Sequence, residues 1–235
     1  MAFQFKQFAI KQTENQHKVG TDSMVLGAWV SKKFEKGLDI GTGTGILALM
    51  IAQENLGAKI TAIEPNEDSC NEAKLNFKNS PFSDRIVCIH SRLQDFESAN
   101  LFDFIICNPP YFVGSTLSRT NTKNKARHTI DLTIDDLYFH VSRLLTTDGN
   151  CNVIFPADLL STHLLASKNN DLFPTEILII ENENKKAIRH LIKFSKKILP
   201  SKKSSMIVKY GSGVYSKQYV NLTKNFHSKT LHFKA

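Results

Sequence analysis

Cysteine is scarce and scattered in this sequence. The four residues, Cys70, Cys88, Cys107 and Cys151, form no CxxC, and no pair of them has a histidine beside it. That spacing argues against a zinc site and against a disulfide framework, and it leaves small buried thiols in a reducing compartment. Long apolar runs are missing too: no stretch approaches the ~18 residues of a membrane span. The opening segment MAFQFKQFAIKQ carries lysines but no apolar core, so it does not read as a secretory signal. A cytoplasmic protein with no membrane and no metal partner is expected. Acidic residues are also in short supply, 22 Asp and Glu against 30 Lys and Arg, for a net charge of +8. The deficit is uneven, with residues 1–117 at net −2 and residues 118–235 at net +10. A basic half suits a polyanionic partner, although a solvated basic surface accounts for the charge as well.

At 235 residues the chain can bury a full core, and it holds no repeat, low-complexity tract or linker. One domain over 1–235 is expected, with 1–35 as an N-terminal cap and 36–235 as the core. Apolar runs KGLDI (36–40), KITAI (59–63), IVCI (86–89), DFIIC (103–107) and CNVIF (151–155) read as buried strands. Between them, 45–55, 66–80 and 133–145 have helical spacing, and in the second Cys70, Ala73, Leu75 and Phe77 are expected to share a side. Asn66 or Pro65 starts that helix, and Thr133 with Asp136 resembles a capping box. This alternation predicts an α/β fold with a Rossmann-like, doubly wound, mostly parallel sheet. Later runs at 175–182, 187–195 and 204–211 suit an antiparallel edge, 214–227 a closing helix, and Phe3, Phe5 and Phe8 a short extended element laid over the fold.

LDIGTGTGILALM (38–50) follows the first buried strand and enters a helix. Gly41, Gly43 and Gly45 allow a sharp turn and close approach of a ligand. A tight βα turn without a ligand would need the same residues. Glu64 ends the second strand, 19 residues beyond Gly45, where an acid in doubly wound folds accepts ribose hydroxyls. Asp39, inside the strand, is a poor neighbour for a pyrophosphate and a good one for an ammonium or a sulfonium. Together they point to S-adenosylmethionine rather than NAD.

The fourth strand stops abruptly at Asn108-Pro109-Pro110-Tyr111. Prolines cannot continue a central strand, since they lack the N–H the ladder needs. A structural turn would need only the two prolines, which leaves the flanking amide and aromatic to be explained.

With the glycine loop, the acid closing strand two and NPPY closing strand four, the chain resembles the class I S-adenosylmethionine-dependent methyltransferases that methylate amino groups. FKQFAI…HKVGTDSMVLGAWV, LDIGTGTGILALMIAQ, DFIICNPPYF, ARHTIDLTIDDL and RHLIKFS…MIVKYG…YSKQYVNLTKNF extend the likeness over nearly the whole chain. It is similar to the bacterial family that methylates N6 of the adenine following the anticodon of a valine tRNA. The resemblance implies that Lys18 and Thr21, within KVGTD, wrap the methionine end of the cofactor. Asp39, Gly41, Gly43, Gly45, Glu64 and Asn108 would complete its site. Where relatives carry an acid for the cofactor adenine, this chain has Arg92, with Asp95 three residues late, which leaves the backbone N–H of Leu93 to meet that ring.

The same resemblance implies the chemistry. The Asn108 oxygen and the Pro109 carbonyl accept the N6–H bonds of an adenine, Pro110 stiffens the turn, and Tyr111 stacks on the flipped base. Arg119, Lys123, Lys125 and Arg127 follow the turn, and Lys185, Lys186, Arg189, Lys193, Lys196 and Lys197 lie further on; all are candidates for RNA phosphates. The expected partner is tRNA, bound by a monomer or weak dimer. Methylation of a glutamine amide in a release factor, of adenine in rRNA or DNA, and a non-catalytic RNA-binding role are the alternatives.

Overall fold

The computed structural model describes residues 2–11, 20–30, 33–109, 132–211, 213–229, 231 and 233. Lys18, Pro110, Tyr111, Arg119, Lys123, Lys125 and Arg127 lie outside the described residues.

The chain begins with a hairpin, β1 (Ala2–Gln4) and β2 (Ala9–Lys11), followed by helix α1 (Thr21–Ala28). Strand β3 (Lys36–Ile40), helix α2 (Ile46–Glu54), strand β4 (Lys59–Glu64), helix α3 (Glu67–Lys78) and strand β5 (Ile86–His90) form the first half of the sheet and its cover. Strand β6 (Phe102–Cys107), helix α4 (Ile134–Leu144), strand β7 (Leu145–Pro156) and helix α5 (Leu160–Asn169) come next. Strands β8 (Phe173–Glu181), β9 (Ala187–Ser195) and β10 (Lys202–Ile207) and helix α6 (Lys217–Thr223) complete the fold.

Eight strands make one sheet in the order β10-β8-β9-β7-β6-β3-β4-β5. The run from β5 to β7 is parallel, and β9 is antiparallel to both β7 and β8. The expected antiparallel edge is therefore only partly realised, because β10 returns parallel to β8. Strands buried on both faces need apolar residues at successive positions, and β6 shows how they divide. Phe104 and Ile106 join the core under α1, α2 and α3, while Phe102, Ile105 and Cys107 join the core under α4 and α5.

Local signals account for the helix ends. The Asn66 side chain accepts the Ser69 N–H at 2.9 Å, and acids Glu67 and Asp68 sit in the first turn of α3, where they favour the positive end of the helix dipole. Thr133 and Asp136 make the reciprocal capping box on α4. On α3, Cys70, Ala73 and Phe77 are buried, but Leu75 is 57% exposed and does not share their side. Residues 75 and 77 are two apart, about 200° around a helix, so they cannot face one way. Helices α1 and α5 were not anticipated, and the closing helix is α6 alone, shorter than 214–227.

The aromatic N-terminus packs as a lid on α3. Phe5 and Phe8 stack at 4.4 Å and are buried. Asn76 clamps the hairpin by accepting from Lys11 N at 3.0 Å and donating to Lys11 O at 3.2 Å. All four cysteines are buried free thiols, with Cys70 Sγ and Cys88 Sγ 3.2 Å apart.

Candidate active site

Register assembles the site. Ile40 pairs with Ile63 on one side and Cys107 on the other, so the residues that follow each strand emerge side by side at the carboxyl edge. These are the glycine loop after β3, Glu64 closing β4, and Asn108 after β6. The chain proceeds from β3 outward through β4 and β5, then crosses back to β6 on the opposite side of β3. That reversal opens the crevice in which doubly wound sheets bind ligands.

The loop is held from below, where Gly41 N and Thr42 N both donate to Ile63 O, at 2.9 and 3.1 Å. Gly41 and Gly43 have φ of +67° and +54°, and a Cβ at either would meet nothing within 4 Å. Their left-handed backbone faces open space, as a cradle for a ligand requires. Gly45 is different. Its φ is +87°, and a Cβ there would lie 2.4 Å from the Phe77 ring, so its smallness lets α3 pack close.

Asp39 lies wholly buried beneath this loop. Its Oδ2 accepts from Thr42 Oγ1 at 2.5 Å and from Ala48 N at 3.1 Å. Its Oδ1 is buried with no hydrogen-bond partner among the described residues. Burial pushes the carboxyl up to about 7; the Thr42 and Ala48 bonds lower it, and the charge of Glu64 raises it further. A buried carboxylate with one unsatisfied oxygen is costly, and a cationic ligand group beside the loop would complete it. Glu64, also buried, accepts from Gly43 N through Oε2 at 2.8 Å and from Asn66 N through Oε1 at 3.1 Å. The residues present thus fit a ligand with a cationic head and a ribose.

Leu93, expected to meet the cofactor adenine, is buried and opens a single 3-10 turn, Leu93–Asp95. Arg92, in the place of the expected acid, pairs with Asp95 at 3.7 Å. Thr21 is the first residue of α1 and is exposed.

Asn108 is half-buried and Pro109 buried. The Asn108 amide nitrogen donates to Ser23 Oγ at 3.0 Å, a partner that sequence reasoning missed. Its only signal is a hydroxyl directly after KVGTD.

The second group of basic candidates divides. Lys185 and Lys186 lie in the turn between β8 and β9, and Arg189 pairs in register with Pro156 at the end of β7. These three are at the carboxyl edge with Asn108, although Arg189 Nε is already bonded to Asp22 Oδ2 at 2.8 Å. Lys193, in mid-strand, is bonded to Glu176 at 2.5 Å and lies 5.5 Å from the Trp29 ring centroid. Lys196 donates to Leu145 O at 2.8 Å and Lys197 pairs with Asp148, both at the start of β7. Seven residues of strand at ~3.3 Å each separate Lys196 from Arg189, roughly 23 Å. Lys196 and Lys197 therefore sit at the opposite end of the sheet from the site.

A switch-point crevice with a glycine cradle, two buried acids and an amide at the end of β6 defines a class I methyltransferase that uses S-adenosylmethionine. The methyltransferase small domain family matches residues 15–138. Among solved structures, a predicted O-methyltransferase from Agrobacterium tumefaciens superposes with a TM-score of 0.67 at 18% identity, covering 91% of this chain and 99% of that one. A ribosomal protein L11 methylase from Lactobacillus delbrueckii superposes with a TM-score of 0.53 at 19% identity, covering 75% and 77%. At those identities the likeness is one of fold.

Sequence relatives are more specific. The tRNA1(Val) (adenine(37)-N6)-methyltransferase of Flavobacterium psychrophilum is 33% identical over 97% of this chain and 99% of its own. Those of Dyadobacter fermentans and Bacteroides thetaiotaomicron are 39% and 36% identical, covering 83% and 99% of this chain and 82% and 98% of theirs. The chain belongs to the tRNA1(Val) (adenine(37)-N6)-methyltransferase family.

Proposed function

We propose that this protein transfers a methyl group from S-adenosylmethionine to the N6 amine of adenine 37 in tRNA1(Val), the position named for its relatives. The observation that supports this best is the meeting of the glycine loop, Glu64 and Asn108 at one edge of the sheet, with the Asn108 nitrogen engaged by Ser23. That bond leaves Oδ1 as the acceptor for the substrate.

When bound, S-adenosylmethionine supplies a methyl carbon activated by a sulfonium. The exocyclic amine is a weak nucleophile because its lone pair is delocalised into the ring. Asn108 Oδ1 and the Pro109 carbonyl accept its two N–H bonds, which turns the lone pair toward the methyl carbon and stabilises the positive charge that develops on N6. The amine would take its methyl carbon from the bound group, which would leave as a neutral thioether, and the methylated amine would release one proton to water. This is orientation with preorganised electrostatics, and it needs no strong base. Asp39 and Glu64 hold the cofactor from below.

Tyr111, assigned from the tetrapeptide alone, stacks on the flipped base. Phosphate contacts fall to Lys185 and Lys186 at the same edge and to the basic segment after the turn, with Arg119, Lys123, Lys125 and Arg127. The chain works as one domain in the cytoplasm, and no described helix is long and apolar enough to cross a membrane.

Incubating the purified protein with unmodified tRNA1(Val) and labelled S-adenosylmethionine, then digesting the RNA for mass spectrometry, tests this directly. One N6-methyladenosine per tRNA is expected, and none when the target adenine is replaced by guanine. In a parallel incubation with a release factor in place of the tRNA, label on a glutamine there, with none on the tRNA in the first, would overturn the reading.

A further inference from the structure

We infer that Ser23 is a positioning residue for the methyl transfer, holding the Asn108 amide so that its oxygen, and not its nitrogen, meets the substrate amine. The two residues are 85 positions apart in sequence, and their side chains meet at 3.0 Å. Ser23 is the third residue of α1, and that helix is fixed independently of Asn108. Met24, Val25 and Leu26 are buried in the core, and the neighbouring Asp22 is bonded to Arg189 on β9 at 2.8 Å. The hydroxyl is therefore presented from a rigid element to the turn after β6.

An asparagine needs such a hold. Its terminal torsion is broad and roughly two-fold, and its two ends have nearly the same shape but opposite hydrogen-bonding character. The substrate amine offers two N–H donors. Turned one way, the amide accepts one of them. Turned the other way, it sets NH2 against NH2, and the lone pair of N6 is no longer aimed. Pro109 cannot supply the hold, because proline has no N–H and its ring restrains only the backbone. Of the described polar partners of the Asn108 side chain, Ser23 Oγ is the one found, and it takes the nitrogen. A hydroxyl can donate as well as accept, so the inference includes that the Ser23 proton goes to a backbone carbonyl three or four residues back, as in other helical serines, which leaves Oγ only to accept.

This inference rests on the adenine reading, and the experiment separates the two. Single-turnover methylation of unmodified tRNA1(Val) is measured for wild type, Ser23→Ala and Ser23→Thr, each alone and with Asn108→Asp. A carboxylate has two equivalent acceptor oxygens, so turning it over changes nothing. Ser23→Ala is expected to lower the transfer rate about ten-fold, within the scale of lost orientation. S-adenosylmethionine affinity and the KM for tRNA should stay within about two-fold, since uniform binding is untouched. Ser23→Thr, which keeps the hydroxyl, should recover most of the rate. In the Asn108→Asp background the cost of Ser23→Ala should nearly vanish. If wild type methylates the RNA and Ser23→Ala is as fast, the role of Ser23 is wrong while the adenine reading stands. Equal losses in both backgrounds, or a loss seen only in cofactor affinity, would also overturn it. No transfer to adenine by wild type would overturn the adenine reading and this inference with it.

Discussion

Glu64 Oε2 accepts the backbone N–H of Gly43 at 2.8 Å, across 21 residues of sequence. The bond joins the end of β4 to the loop after β3, so the acid and the glycine cradle form one unit. Its other oxygen accepts Asn66 N, at the start of α3. Glu64 thus braces the walls of the crevice in which it is proposed to accept the ribose hydroxyls.

Glu64→Ala should therefore weaken S-adenosylmethionine binding by about 1–3 kcal/mol, the scale of hydrogen bonds to a charged group, and lower the melting temperature of the ligand-free protein. Titration calorimetry and a thermal melt measure the two separately. Unchanged cofactor affinity would take Glu64 out of the site.

Asp39 and His163 pull the pH dependence of stability in opposite directions. Burial raises the Asp39 carboxyl from 3.8 to about 7. Between those values the folded state keeps a proton that the unfolded state has lost, so stability falls as pH rises through about 7. His163, stacked on Phe155 and bonded to Tyr138, is pushed by burial from 6.5 down to about 4. Its contribution is present above 6.5 and is lost as pH falls toward about 4. Asp39→Asn removes the first effect and leaves the second. The ligand-free variant should melt above wild type at about pH 8 and gain stability more steeply between about pH 4.5 and 6.5, while binding S-adenosylmethionine less tightly. Thermal melts across pH check this; matching curves for the two proteins would mean that Asp39 ionises normally.

Asn108→Ala should reduce kcat by at least ~100-fold, the scale of losing one preorganised electrostatic partner, with cofactor affinity retained. Tyr111→Ala should lose stacking worth about 1–3 kcal/mol, spread between KM and kcat, and Tyr111→Phe should be nearly silent. Single-turnover assays on unmodified tRNA decide it. An Asn108→Ala enzyme working at the wild-type rate would reduce the tetrapeptide to a turn.

The two basic clusters should behave differently. Reversing Lys185 and Lys186 to Glu should raise the KM for tRNA and flatten its salt dependence by about one unit of log slope per lost phosphate contact. Reversing Lys196 and Lys197 should leave the KM for a short anticodon stem-loop unchanged and lower stability instead, because Lys196 caps Leu145 O and Lys197 pairs with Asp148. Filter binding over a salt series, with a denaturation curve for each variant, distinguishes them. Equal effects of the two pairs on the stem-loop would contradict this division of the sheet.

Local chemistry wrote the strands, the glycine turn and the helix caps into the sequence. A strand buried on both faces must be apolar throughout, as Phe104-Ile105-Ile106-Cys107 is, and a capping box needs only two residues three apart, as Thr133 and Asp136 are. The meeting of Glu64 and Asn108 at one edge was legible because each is polar where its strand ends, and Asp39 stood out as an acid inside an apolar strand. Helix α5 was not, because the buried residues of LSTHLLASKN are His163, Ala166 and Ser167 while Leu165 is exposed, a pattern that hides its inner face. The direction of β10 depended on where the chain found an open edge. Only the tertiary structure could bring Ser23 to Asn108, assign Gly45 to the packing of Phe77, and send Lys196 to the far end of the sheet from Lys185. Sequence spacing measures distance along the chain. In a doubly wound sheet it is strand order and strand direction that decide which of those residues share an edge.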